Sequence, residues 1–375
     1  TYVSALTWIF AASILIQVFF WISFAIGYRR ARNASRRALR LNGQESFEHH
    51  LAASSENVSV IVAVRNESQN ICHLIEALDR QTYSPFEVVV VDDSSEDETM
   101  SVLQSLATAR SWLRIEQMEE SIFPRKKRAL IKGIAAAQND LLLFTDADCR
   151  PGPEWLSEHV QLHAANEGPS LVVGHAVFDR LPGQVNVIAR YLSLITSFQA
   201  AATIGLGVPF MAFGTNLSYR KQTFESVGGY GDGLQSLSGD DDLFLQRVAT
   251  FGAARILWMD SEKSIVRTTA QKTWRAWLRQ KKRHNSASRY FAPRVKVSGL
   301  FYWASMMGVV ASAAMWSWIP IVAWGVVHAL CIGNAFCLLK GKDLILRLPV
   351  LIPLYLLIQG ILPVAGFLKP QKYWK

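Results

Sequence analysis

From Val3 to Tyr28 the chain is apolar almost without a break, interrupted by Ser4, Thr7, Ser13, Gln17 and Ser23. A run of that length is long enough to cross a bilayer, and a helix satisfies its own backbone in hydrocarbon, so it is expected to span as a helix. Six arginines follow it between Arg29 and Arg40. A secretory leader carries its positive charge before the apolar run, so residues 1–28 are expected to stay in place as an anchor. Charge after the run puts the next segment on the cytoplasmic side. A basic, polar linker is expected over residues 29–57.

A second apolar block runs from Gly299 to Leu339, with a turn expected at Ser317-Trp318-Ile319-Pro320, and gives two crossings. A further stretch, Leu344 to Leu368, is interrupted by Pro349, Pro353 and Pro363. With one crossing before the middle of the chain and three after it, the tail falls outside, whereas Lys369, Lys372 and Lys375 favour the inside. The last stretch is therefore read either as spanning or as re-entrant. Hydrophobic residues make up 50% of the chain and charged residues 18%, too apolar for a wholly soluble protein and too charged for a wholly embedded one. The net charge of +9 gathers at Arg29 to Arg40, Arg125 to Arg128 and Arg275 to Lys296. Two of these clusters flank apolar segments, which points to anionic lipid rather than nucleic acid. Cys72, Cys149, Cys331 and Cys337 have no spacing that indicates a disulfide framework or a zinc site.

Between the apolar blocks, strand and helix signals alternate. Val58 to Val64, Phe86 to Val91, Trp112 to Gln117 and Leu141 to Thr145 read as strands. Helices are expected from Ser68 to Gln81, after Ser95 (with Glu98 completing a capping box) and from Lys126 to Gln138. Near-continuous apolar strands separated by helices predict an α/β domain with a mostly parallel sheet, over residues 58–270. Trp155 to Ala165 reads as helix, Leu171 to Phe178 as strand and Val185 to Ala202 as a long helix. The strand Leu141 to Thr145 ends at Asp146-Ala147-Asp148, and Pro151 and Pro153 prevent it from continuing. Residues two apart on a strand share a face, so both carboxylates are delivered together to the edge where such folds bind ligands. Hard oxygen donors of this kind suit Mg²⁺ or Mn²⁺ shared with phosphate oxygens, the plainer alternative being a solvated turn. Asp240-Asp241-Asp242 precedes an apolar helix that Gly252 ends. One or two acids suffice to compensate a helix dipole, and three together raise one another's pKa, as in a tuned general base. Residues 271–298 place Trp274, Trp277 and Leu278 apart from Arg275, Arg279, Lys282 and Arg283, the pattern of a helix lying in the membrane interface.

These motifs, in this order, resemble the membrane-anchored family 2 glycosyltransferases, whose fold is called GT-A; the resemblance covers about Val58 to Tyr290. Val58 to Glu67 looks like the opening strand and nucleotide loop, and Asp92-Asp93-Ser94-Ser95 like the acid pair at the base and ribose. Asp146-Ala147-Asp148 is similar to the metal motif, Gly239-Asp240-Asp241 to the motif carrying the base, and Gln280-Lys281-Lys282-Arg283-His284 to a Gln-x-x-Arg-Trp motif of membrane synthases. The resemblance implies an inverting, metal-assisted transfer from a nucleotide-diphosphate sugar, a UDP-sugar by expectation, to a lipid-linked or polysaccharide acceptor at a cytoplasmic membrane face. Processive polymer synthesis and non-catalytic nucleotide-sugar binding are the alternatives.

It assigns Asp241 as base, with Asp240 open, and Asp148 with Asp146 to Mg²⁺ or Mn²⁺. Val64, Arg65, Glu67, Asp93, Lys127, Asp146, Gln280 and Arg283 fall on the donor side. Gly214 and Asn216 fall on the acceptor side. Lys127 belongs to Arg125 to Lys127, for which a solvated helix start is the alternative. His284 stands where the synthase motif has Trp, which weighs against acceptor stacking there.

Overall fold

The computed structural model describes residues 2–44, 56–120, 123–315 and 318–368. The tail Lys369 to Lys375, residues 45–55 of the expected linker and Ser317 of the expected turn lie outside them. In chain order, the first half runs α1 (Tyr2–Gln44), β1 (Val58–Val64), α2 (Ile71–Asp79), β2 (Phe86–Asp92), α3 (Thr99–Ala107), β3 (Leu113–Gln117), α4 (Arg125–Ala136), β4 (Leu141–Phe144), β5 (Arg150–Pro151) and α5 (Trp155–Ala164). There follow β6 (Ser170–Val173), β7 (Ala176–Phe178), α6 (Gln184–Gly205), β8 (Leu217–Arg220), α7 (Lys221–Ser226), α8 (Asp242–Phe251), β9 (Arg255–Trp258) and β10 (Val266–Thr268). The last helices are α9 (Trp274–Ser286), α10 (Pro293–Met315), α11 (Ile319–Leu338) and α12 (Leu348–Leu368). These elements form two compact units. One comprises Ala31–Asp179 and Pro209–Thr269, the other residues 2–30, Arg180–Val208 and residues 270–368.

The first unit is built on a seven-stranded sheet of order β3-β2-β1-β4-β8-β6-β9. β1 pairs in parallel with β2 and β4, and β2 with β3. All seven residues of β1 are buried, as a central strand covered on both faces requires. α2 lays Ile71, Leu74, Ile75 and Leu78 against Val58, Val60, Val62 and Val64 in one core. On the other face α4 approaches so closely that a Cβ at Gly133 would stand 2.7 Å from Ile61 Cγ2 and 3.1 Å from Val91 Cγ2. The chain reverses its direction across the sheet between β1 and β4, the switch point at which open α/β folds leave a crevice.

Three local expectations are corrected. α2 begins at Ile71 with Asn70 as its N-cap; Ser68 instead binds the Asp97 carboxylate through Oγ at 2.8 Å. Ser95 does not cap α3, since its hydroxyl donates to Asp92 Oδ1; Asp97 Oδ1 accepts from Thr99 N at 3.0 Å in its place. The stretch read as one strand from Leu171 to Phe178 is two, β6 in the main sheet and β7 in a small sheet of order β5-β10-β7. The sheet is mostly parallel, as expected, and is mixed only at β8, which runs antiparallel to both β4 and β6.

Of the basic cluster after the apolar run, Arg32 and Arg36 do not wait for lipid. Their Nε atoms lie 2.9 and 2.7 Å from the Asp260 carboxylate, whose backbone N–H donates to Ser35 Oγ.

The second unit is helical. Gln17, fully buried, donates to Tyr302 O at 2.8 Å and Ser305 Oγ at 2.9 Å and accepts from Trp324 Nε1 at 3.0 Å. It is therefore an interhelical tie rather than a blemish in the apolar run. A Cβ at Gly27 would lie 2.2 Å from Ala202 O, so glycine sets the approach of α1 to α6. Among the described residues four helices are long and apolar enough to cross a membrane: Leu6–Arg40, Gln184–Gly205, Ile319–Leu338 and Lys342–Ile361. The second was read as part of the α/β domain; it groups instead with the apolar helices, where its mixed face is buried against them. On α9 Trp277 and Ser286 are buried, while Trp274 and Leu278 remain exposed.

Candidate active site

Because β1, β2 and β4 are parallel, their carboxyl ends open on one edge, with Val64 in register with Asp92. The loops leaving β1 and β2 are laced together there. Arg65 donates to Asp93 O at 2.7 Å and to Glu96 Oε1 at 2.8 Å, Asn66 N donates to Ser95 Oγ at 3.0 Å, and Glu67 N donates to Thr99 Oγ1 at 2.8 Å. Val64, Arg65, Glu67 and Asp93 are thus gathered at one place. Val64 and Asp93 are buried, so they shape the crevice more than they face it.

β4 ends at Phe144, so its acids follow the strand rather than belong to it, with Asp148 in a turn. Ala147 and Cys149 are buried, while Asp146 and Asp148 between and beside them are partly open. Burial and the charges of Asp148 and Asp146 push the Cys149 thiol well up, so it remains a protonated core group.

Against Asp146 stand residues from two further segments. Lys126, the second residue of α4, places Nζ 3.0 Å from Asp146 Oδ1 and 3.0 Å from Asp240 Oδ2. Gly214 N donates to Asp241 Oδ2 at 2.9 Å, and Asp242 N to Asp241 Oδ1 at 2.8 Å. Asp241 is the N-cap of α8, while Asp242 Oδ1 accepts from Ala212 N at 2.9 Å. A Cβ on Gly214 would stand 3.3 Å from Asp240 Oδ2 and 3.6 Å from both Asp241 Oδ2 and Lys126 Nζ, so any side chain there would crowd the acids. The pocket formed is lined by Lys126, Asp146, Gly214, Tyr230, Asp240 and Asp241, among others.

The electrostatics follow from burial and pairing. Burial would raise Asp240, but the Lys126 charge prevails and holds it below the usual carboxylate range. Burial, then the Asp240 charge, pushes Asp241 up to about 6. Lys126 is held protonated by Asp146, Asp240 and Asp241, against a burial that acts the other way.

Two expected site residues are spent elsewhere. Lys127 is 1% exposed, and its ammonium donates to the carbonyls of Gly233, Ser236 and Ser238 at 2.6, 2.9 and 2.9 Å. It fastens the loop that leads to Asp240 instead of reaching a donor phosphate. Asn216 is fully buried: its Nδ2 donates to His175 O and Ser264 O, both at 2.8 Å, and its Oδ1 meets Trp155 Nε1 at 2.9 Å and His159 Nε2 at 2.8 Å. It is a structural hub, not a side chain presented to an acceptor. Gln280 and Arg283 lie on α9, in the helical unit. The residue missed is Lys126, next in sequence to the one chosen. Adjacent residues on a helix point about 100° apart, so a Lys-Lys pair at a helix start presents only one to the pocket, and sequence does not say which.

Comparison with known proteins decides what this edge belongs to. Residues 59–228 match the model of Glycosyl transferase family 2. This segment is a family 2 glycosyltransferase domain. The chain is 32% identical over 199 residues to the Glycosyltransferase AglE of Haloferax volcanii, covering 52% of this chain and 62% of that one. It is also similar to a Beta-monoglucosyldiacylglycerol synthase of Trichormus variabilis, 24% identical over 246 residues, 64% of this chain and 51% of the relative. The alignments thus span only about half to three-fifths of these relatives' lengths. In fold, the chain is similar to a solved mannosyltransferase, PcManGT of Pyrobaculum calidifontis, in complex with GDP-Man and Mn²⁺. The TM-score is 0.54 at 18% identity, over 91% of this chain and 98% of that one. The mixed α/β architecture of the family 2 domain is therefore GT-A-like.

Proposed function

We propose that the family 2 domain transfers a sugar from a nucleoside-diphosphate sugar to a lipid-linked or glycan acceptor at a membrane surface. The observation that carries this reading is the convergence of Asp146, just after β4, with Asp240 and Asp241, from before α8, on one pocket beside β4 and β8. The lipid side is supported by the four helices fit to cross a membrane and by the likeness to a diacylglycerol-modifying synthase. The gathered Val64, Arg65, Glu67 and Asp93 form the wall where a nucleoside would lie. The domain on the cytoplasmic side of the membrane, with residues 271–298 as an interfacial helix, completes the reading.

The donor set fits a divalent metal. Asp146 and Asp148, both partly open, offer hard oxygens, and no group of three ligating side chains is present among the described residues. One or two carboxylates completed by substrate phosphates is the usual way Mg²⁺ is held. When bound, the ion would neutralise charge on the departing diphosphate.

The chain's own residues do the rest. The acceptor hydroxyl must lose a proton to a carboxylate that is ionised and aimed into the pocket. Asp241 has both oxygens held by backbone N–H groups and is fixed as a helix cap. Asp240 is held instead by a flexible lysine and stays ionised at neutral pH. We therefore assign the proton to Asp240 and give Asp241 the task of fixing the loop and the local charge. This reverses the order expected from sequence. The test is a screen of nucleotide sugars with membranes containing the full chain, reading which nucleoside diphosphate is liberated. Asp240→Asn should bind the donor but fail to turn over, whereas Asp241→Asn retains part of the rate. The opposite pattern in folded variants would return the base to Asp241. A product that extracts into organic solvent indicates a lipid acceptor, and one that stays at high molecular weight indicates a polymer.

A further inference from the structure

The pocket holds a cation of its own. Lys126 Nζ is 3.0 Å from Asp146 and 3.0 Å from Asp240, and its side chain is 15% exposed. Its neighbour Lys127 is committed to three carbonyls of the loop before Asp240 and does not share this task. The oxygen Lys126 holds on Asp146 belongs to the same carboxylate pair that suits a divalent ion. A metal bound there would lie about 2.1 Å from its oxygen, and at these separations two cations repel strongly. The ammonium and the metal therefore compete for one acidic surface.

We propose that Lys126 is a resident counter-cation that fills the acidic cleft while the donor is absent, so that a divalent metal is admitted only together with a nucleoside diphosphate. This inference rests on the donor-site reading above. In the donor-free state the ammonium balances Asp146 and Asp240, and a metal ion must displace it without compensation. The diphosphate changes that balance. It brings negative charge for the metal and gives the long, flexible lysine stem a second anionic partner a short swing away. Metal and nucleotide then favour one another's binding, and the coupling is reciprocal by linkage. The cleft is protected from stray divalent ions, and Asp240 is uncovered when the donor is in place.

The experiment measures Mn²⁺ binding to the full chain in detergent by the loss of the free-ion electron paramagnetic resonance signal, with and without UDP or GDP. Wild type is expected to bind Mn²⁺ weakly alone and more tightly with the nucleotide. Lys126→Met is expected to bind Mn²⁺ without nucleotide about tenfold more tightly than wild type, with the coupling reduced by a similar factor. Lys126→Gln keeps a hydrogen-bond donor without the charge and should behave likewise; it is the variant to read if the methionine protein does not fold. Lys126→Arg keeps the charge and should retain the coupling. Unchanged nucleotide-free Mn²⁺ affinity in folded Lys126→Met or Lys126→Gln overturns the counter-cation role, and weaker nucleotide binding with unchanged metal affinity makes Lys126 an ordinary phosphate ligand. If wild type binds neither UDP nor GDP by calorimetry, the donor-site reading falls, and this inference with it.

Discussion

Replacing Lys127 by Met tests whether the loop before Asp240 is held from beneath. The ammonium makes three hydrogen bonds to backbone carbonyls, those of Gly233, Ser236 and Ser238. At about 1.5–3 kcal/mol for each bond from a charged donor, their gross contribution is roughly 4.5–9 kcal/mol. Burial opposes this. It pulls the lysine pKa from 10.5 to about 8, a penalty on the charged form of about 3 kcal/mol. The net loss expected for Lys127→Met is on the order of 3 kcal/mol, borne by the loop because all three acceptors lie there. An opening free energy lower by that amount raises amide exchange about a hundredfold. The amides to follow by hydrogen–deuterium exchange are Gly233, Ser236 and Leu243, which donate to Tyr230 O, Gly233 O and Gly239 O. The α2 amides, packed in the core, should exchange as in wild type. If the three loop amides keep their wild-type rates in a variant that has lost the ammonium, the loop is held by something else and the argument is refuted.

Acid should weaken the family 2 domain through His159 and His163. Burial pulls them down to about 4 and about 3, in a closed network in which Ser218 Oγ meets both rings, at 2.7 and 2.8 Å. Their folded pKa values lie below the unfolded value, so the stability they contribute is full above about pH 6.5 and is lost as pH falls towards 4 and then 3, by at most about 8 kcal/mol. Thermal unfolding midpoints from pH 7 to 4.5 should fall, and less steeply in His163→Gln; a flat profile would contradict this. Gly133→Ala should lower the unfolding midpoint. A gain of about 1 kcal/mol in helix propensity meets an overpacking cost of about 1–3 kcal/mol against Ile61 and Val91, and a clear stabilisation would show that α4 has room to move.

The parts of this chain that were legible in sequence are those where one local rule suffices. Val58 to Val64 is apolar at all but one position because both faces of a central parallel strand are covered. Asp146 and Asp148 come directly after the apolar strand that carries the chain to the sheet edge, and Gly252 ends α8 in the left-handed conformation at φ 63°. What was not legible depends on partners distant in sequence. Asn216 looks like a loop amide until Trp155, His159 and the carbonyls of His175 and Ser264 close around it. The α6 helix, with Asn186 and Arg190 among its apolar residues, reads as part of a soluble domain until its partners are known. Arg190 pairs with Asp343 at 2.7 Å, across 153 residues of sequence.

The same distinction applies to the two lysines of the candidate site. Asp240 and Asp146 are 94 positions apart, and only the order of motifs suggested that they meet. Once the fold brings them together, like charges in a partly closed pocket require a cation. Composition offered Arg125, Lys126, Lys127 and Arg128 at one helix start. That helix starts at Arg125, so the 100° step between neighbours sends Lys126 to the acids and Lys127 to the carbonyls beneath the loop. Two adjacent, chemically identical residues thus receive different work, one exchangeable with solvent ions and one sealed from them. The difference lies entirely in which acceptors the tertiary structure sets within 3.0 Å of each nitrogen.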